Sequence, residues 1–184
     1  TKTTSIKLAL EHTYNQWRNT KEVIQWFSNI ENKKHCTFVQ LDIKEFYPSI
    51  TENILNKAIE FAKQKVNINQ EDLRIIKHCR KSLLFDGEVA WKKKDGTSSF
   101  DVTMGRFDGA EICEMVGLYI LSLLNVDYTY SDTGLYRDDG LIILRNLTGR
   151  QIDKARKTIV KTFNDIGFKI DIQTNLKEVD FLDV

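Results

Sequence analysis

The chain has 184 residues, 41% hydrophobic, 29% charged and 10% aromatic, with one proline, which fits a single globular domain with a buried core and excludes disordered, collagen-like and low-complexity classes. Lys and Arg number 27 against 26 Asp and Glu, so bulk charge gives no sign of a strongly electrostatic nucleic-acid binder, and any such partner must be held locally. The longest nearly apolar stretch, Val116 to Leu124, is far shorter than the ~20 residues of a membrane helix, so no membrane partner is expected.

Thr1 to Lys7 has no apolar secretory core and no initiator methionine, and Phe181-Leu182-Asp183-Val184 is an apolar, strand-like run with no turn after it. Both ends suggest a segment of something longer. Cys36, Cys79 and Cys113 are odd in number and widely spaced, which predicts small core residues in a reducing, intracellular compartment. His12, His35 and His78 show no metal-ligand spacing.

Thr20 is placed to cap a helix carrying Val23, Ile24, Phe27 and Ile30 at a helical period. The period then changes to two: Val39, Leu41 and Ile43 fall on one face of a strand, Phe38, Gln40 and Asp42 on the other. Pro48 stops pairing, and Ser49-Ile50-Thr51-Glu52 reads as a capping box opening a helix that turns Leu55, Ala58, Ile59, Ala62 and Val66 inward. A second helix aligns Leu73, Ile76, Cys79 and Leu83.

Asp95-Gly96 and Asp139-Gly140 each sit between strand-like runs, predicting two hairpins. Between them, Asp108 to Asn125 reads as a helix burying Ile112, Met115, Tyr119, Ile120 and Leu123. Thr148 is a plausible cap for a helix with Ile152, Ala155, Ile159, Phe163 and Ile166, closed by Gly167. Strands at Phe168 to Ile172 and Val179 to Val184 end the series, and the order predicts an α+β sandwich with an antiparallel sheet.

Asp138 and Asp139 put two adjacent carboxylates at a hairpin tip, a donor set for hard divalent cations such as magnesium; ordinary Asp-Gly turn chemistry is the competing account. Asp42 also ends a strand, and if that strand neighbours the hairpin, three carboxylates meet at one sheet end and repel unless cations neutralise them. Two metals about 4 Å apart can activate a hydroxyl and stabilise a leaving phosphate oxygen. That chemistry is nucleotidyl transfer or phosphodiester hydrolysis.

Gln40 to Ile50, with Asp42 followed by the aromatic Tyr47, resembles the first palm motif of reverse transcriptases, and Leu135-Tyr136-Arg137-Asp138-Asp139-Gly140-Leu141 resembles their Tyr-x-Asp-Asp hairpin. Met104-Gly105 before the helix, Ile166 to Lys169 with Asn175-Leu176-Lys177, and Phe181-Leu182-Asp183 resemble further motifs, the last the start of a primer-grip strand. The wording is closest to reading frames of mobile genetic elements. The resemblance implies a polymerase palm, an antiparallel sheet packed on helices around a ferredoxin-like core, with partial fingers and no thumb. Residues 1–34 would be partial fingers and N-terminal helices, and 35–184 the palm, with 67–103 a fingers-side insertion.

The same resemblance implies an RNA-directed DNA polymerase using two Mg2+ ions, with Mn2+ as a substitute, an RNA or DNA template with primer, and deoxynucleoside triphosphates. Asp42 and Asp138 would hold both metals, the Ile43 carbonyl would complete one shell, and Asp139 would assist. Tyr47 would collide with a ribose 2′-hydroxyl; RNA-dependent RNA polymerases have an aspartate there, and they and a non-catalytic nucleic-acid scaffold are the alternatives. Gly105 would admit the nascent pair, Arg106 would touch a phosphate or base, and Gly109 would let the template pass. Lys177 or Lys169 would protonate the leaving pyrophosphate, and Tyr136 would brace the primer or simply pack. Lys92, Lys93 and Lys94 would grip template phosphates, unless they are a solvated turn flank. Two departures stand out: Met104 replaces the family's glutamine, and no Ser-Pro follows Gly105.

Overall fold

A computed structural model describes residues 14–81, 84–91, 100, 102, 108–128 and 132–183. The strands are β1 (Asn15–Gln16), β2 (Cys36–Ile43), β3 (Leu84–Asp86), β4 (Val89–Trp91), β5 (Thr133–Tyr136), β6 (Asp139–Arg145) and β7 (Ile170–Leu176). The helices are α1 (Thr20–Ser28), α2 (Phe46–Ser49), α3 (Glu52–Lys63), α4 (Gln70–His78), α5 (Gly109–Leu124) and α6 (Gly149–Ile166). Five strands form one sheet in the order β1-β5-β6-β2-β7, and β3 with β4 form a separate hairpin.

The expected all-antiparallel sheet is corrected to a mixed one. Every pair among β5, β6, β2 and β7 is antiparallel, but β1 runs parallel to β5, aligning Asn15 with Gly134. Residues 14–34 therefore add a strand to this sheet and lay α1 over it.

The two-residue period of β2 divides the sheet into faces. Val39, Leu41 and Ile43 are buried in the main core with Leu135, Ile142 and Leu144 and with residues from α3, α5 and α6. On the opposite face Cys36 and Phe38 join Leu141, Ile143, Trp17 and Phe181 in a second cluster at one end of the strands. Gln40 and Asp42 continue that face toward the other end, where the cluster gives way to polar residues. The helix α5 is apolar over most of its surface, and Ile112, Met115, Val116, Leu118, Ile120 and Leu121 are all fully buried.

Several local expectations shift by a residue or two. Asn19, not Thr20, caps α1 by accepting from the Glu22 N–H, because an Asn side chain at that extended residue reaches the helix's free amides. Ser49 lies in the short α2, and Thr51 alone caps α3 through the Ile54 N–H. A reciprocal capping box does open α6, between Thr148 and Gln151, and Gly167 at φ 95° ends that helix in the left-handed region.

The described β3–β4 hairpin turns at Gly87, with φ 59°, while Asp95-Gly96 lies outside the described residues. The other hairpin turns at Arg137-Asp138: Tyr136 pairs with Asp139, and Asp139-Gly140 already belong to β6. Gly140 is required by packing instead, since a Cβ there would stand 2.8 Å from Leu41 Cδ1. The final strand predicted over Val179 to Val184 does not form in its described part. Leu182 and Asp183 adopt φ 54° and 62°, which breaks extension, and Phe181 packs edge-on against Trp17 at 5.6 Å.

Candidate active site

Three carboxylates lie in one row across three adjacent strands. Asp42 of β2 pairs in register with Asp139 of β6 on one side and with Asp171 of β7 on the other. Cross-strand partners share a face, with Cβ atoms about 4.5–5.5 Å apart, so the three side chains leave the sheet together. The fourth, Asp138, sits in the hairpin loop, and its carbonyl accepts a 2.9 Å bond from the Ile43 N–H, tying the hairpin tip to the end of β2. Arg137 takes φ 53° in that two-residue loop, and its guanidinium lies 5.5 Å from the centre of the Tyr136 ring.

The crowding has an electrostatic signature. Burial, then repulsion from Asp138 and Asp42, pushes the Asp139 carboxyl up to about 6. Asp42 is also raised, first by burial and then by Asp138 and Asp171, with Lys44 opposing. Lys44 forms a 2.8 Å ion pair with Asp171 and donates its backbone N–H to the Lys169 carbonyl at 2.9 Å. Asp171 escaped the sequence reading because only the β2–β7 register puts it beside Asp42. The alternation of Ile170 and Ile172 around it was the available signal.

Tyr47 is half-buried in α2, with its hydroxyl close to the Cys113 thiol of α5. Burial raises its phenol, and both Arg137 and Asp138 are close enough to act on it. Burial likewise pushes the Cys113 thiol up to about 12, so it stays a neutral packing group. Tyr136 shares the carboxylate face through its pairing with Asp139. Gly109 opens α5 and is buried.

Lys177 lies away from this group: its Nζ donates to the Cys36 carbonyl at 3.2 Å, at the far end of β2. The strand rise puts that end about 20 Å from Asp42. The reason is the length of β7, which runs on to Leu176 rather than stopping at Ile172 and carries the following lysine with it. Lys169 lies instead at the carboxylate end. Gly105, Arg106, Lys92, Lys93 and Lys94 lie outside the described residues.

Among the described residues no three His, Cys, Asp or Glu side chains form a ready-made metal cage. Magnesium does not need one: it dehydrates reluctantly and is commonly held by one or two carboxylates plus substrate phosphates and water. An all-oxygen set of Asp42, Asp138 and Asp139, already strained by mutual repulsion, fits that mode.

A telomerase structure from Candida tropicalis, in the apo form and truncated from its C-terminal domain, superposes with a TM-score of 0.65 over 94% of this chain. The chain shares that fold. Sequence identity to the telomerase is 16%, and the match spans 39% of its length, so the likeness is one of fold alone. No family model and no curated protein matches the sequence. The match covers almost the whole chain, whose described residues form the five-stranded mixed sheet and six helices. Among the described residues no helix is long and apolar enough to cross a membrane.

Proposed function

We propose that this chain is the palm of an RNA-directed DNA polymerase, adding deoxynucleotides to a primer 3′-hydroxyl under template direction. The observation that carries the reading is the in-register pairing of Asp42 with Asp139, with Asp138 tied to the same strand end by the Ile43 N–H, in a telomerase-like fold. Asp42 and Asp138, with the Ile43 carbonyl, would hold two Mg2+ ions, and Asp139 would support them from the side. Bound there, the ions would lower the pKa of the attacking hydroxyl and neutralise charge on the phosphates.

The remaining work falls to the chain's own groups. Tyr47, braced against α5, would stand under the incoming sugar and exclude a 2′-hydroxyl. The Tyr136 ring, on the carboxylate face beside Asp139, would support the primer end. Lys169, at the carboxylate end of the sheet, is better placed than Lys177 to give its ammonium proton to the departing pyrophosphate. An origin in a mobile genetic element is part of the same proposal, supported by the wording of the two palm motifs.

The test is primer extension by the full chain on an RNA template, with deoxynucleotides or ribonucleotides alone. Extension with deoxynucleotides, and a gain in ribonucleotide use by Tyr47→Ala, is the expected result. Equal use of both sugars by the unaltered chain would favour an RNA-dependent RNA polymerase, and no extension with either would favour a scaffold.

A further inference from the structure

Arg80 is fully buried, with a relative exposure of 0%. Its Nη2 donates to the carboxylate of Asp108, itself buried, while its Nε and Nη1 have no hydrogen-bond partner. Of the ion pairs among the described residues, this is the one with both side chains out of water; those on α3, α6 and the sheet edge are substantially exposed. A buried pair of this kind is a poor source of stability, because desolvation offsets the attraction and an apolar pair of similar volume does as well or better. Two idle donors make the arrangement poorer still. What it does provide is direction.

Asp108 occupies the N-cap position of α5, where an aspartate would ordinarily accept from the helix's free amides, yet it makes no side-chain cap. Its carboxylate is drawn to Arg80 instead, which ties the start of α5 to the chain two residues beyond the end of α4. Little more than one turn into α5 lies Cys113, 1% exposed, close enough to feel the Arg80 charge and beside the Tyr47 hydroxyl. Tyr47 in turn lies within electrostatic reach of Asp138. A path therefore leads from the buried Arg80–Asp108 pair along the first turn of α5 to Cys113 and on to the neighbouring Tyr47, the ring proposed to face the substrate.

We propose that Arg80 and Asp108 are a positioning pair, fixing the start of α5 so that Cys113 holds Tyr47 in place, and that this pair sets discrimination between deoxyribose and ribose. The proposal rests on the polymerase reading above. Arg80 touches no reacting atom in it; its effect passes through Asp108 and Cys113. A ring held through such a chain loses selectivity when its support slackens by a fraction of an ångström.

The experiment replaces the pair by apolar residues, Arg80→Met with Asp108→Leu, so that neither charge is left buried alone. Thermal unfolding and single-nucleotide insertion by the full chain are then measured with deoxy- and ribonucleotides. The expected result is a melting temperature close to that of the parent, with the ratio of kcat/KM for deoxy- over ribonucleotide falling about tenfold through a lowered ribonucleotide KM.

Cys113→Ala and Cys113→Ser keep the proposal testable if the double variant does not fold. The alanine should lower the ratio in the same direction, and the serine, which retains a hydroxyl, should restore it. An unchanged ratio in a folded, active double variant, or in Cys113→Ala, would overturn the positioning role and leave the polymerase reading intact. Failure of the parent chain to insert any nucleotide would overturn both.

Discussion

Asp171 stands directly across from Asp42 on the neighbouring strand and is held there by a 2.8 Å ion pair to Lys44. The pair has two consequences for a cation arriving at Asp42. It keeps the Lys44 ammonium occupied two residues from the carboxylate, and it adds a negative charge to the row. Asp171 is therefore part of the electrostatic setting of the site, though not of its motifs.

Asp171→Asn should raise the magnesium concentration needed for half-maximal primer extension several-fold, because the freed Lys44 amine then competes for Asp42. Turnover at saturating magnesium should change little. Adding Lys44→Gln should reverse most of the shift. A magnesium requirement unaffected by Asp171→Asn, measured by titrating the metal in an extension assay, would remove Asp171 from the account.

The Asp139 carboxyl, raised to about 6, predicts the pH dependence of the metal-free protein. The folded state holds this proton more tightly than the unfolded chain, so stability from this group is greatest below the ordinary carboxylate range and is lost as pH rises through about 6. After allowance for solvent screening the loss is about 1 kcal/mol, equivalent to ~2–4 °C in a chain of this size. Thermal melts in chelator should show that decline between pH 4 and 7 against Asp139→Asn, which should lack it. Magnesium should reverse it at pH 7 by binding the ionised form. Identical pH profiles for the two proteins would contradict the crowding.

Gly140→Ala tests the packing of β6. The added Cβ would sit 2.8 and 2.9 Å from Leu41 Cδ1 and Cγ and 3.2 Å from Leu135 Cδ1. Leu41 and Leu135 are 2% and 1% exposed and have no room to swing aside. The expected cost is about 1–3 kcal/mol, read as a lower midpoint in denaturant or heat. A melt unchanged from the parent would mean that the Leu41 contact relaxes freely.

The sequence made the alternating face of β2 legible because Val39, Leu41 and Ile43 form a strict period-two series above a polar-tipped opposite face. The helices α3, α5 and α6 were equally readable, since their apolar residues repeat at the helical period and Gly167 ends the last of them. Register was not readable. Asp139-Gly140 looks like a turn, but the turn falls two residues earlier, because Leu41 needs the space that Gly140 leaves. Asp171 and the Arg80–Asp108 pair depend on contacts between distant segments, which no local pattern encodes. The misplaced role of Lys177 has the same origin: the strand it follows continues for several residues past its predicted end.

The central claim is that Asp42 and Asp138 form the working heart of a polymerase. The most direct measurement is single-nucleotide primer extension by the full chain beside Asp42→Asn and Asp138→Asn, each shown by thermal melting to be folded. The account predicts that the parent extends the primer in magnesium and that each substitution lowers the rate at least about a thousandfold. Rates within about tenfold of the parent in either folded variant would contradict it.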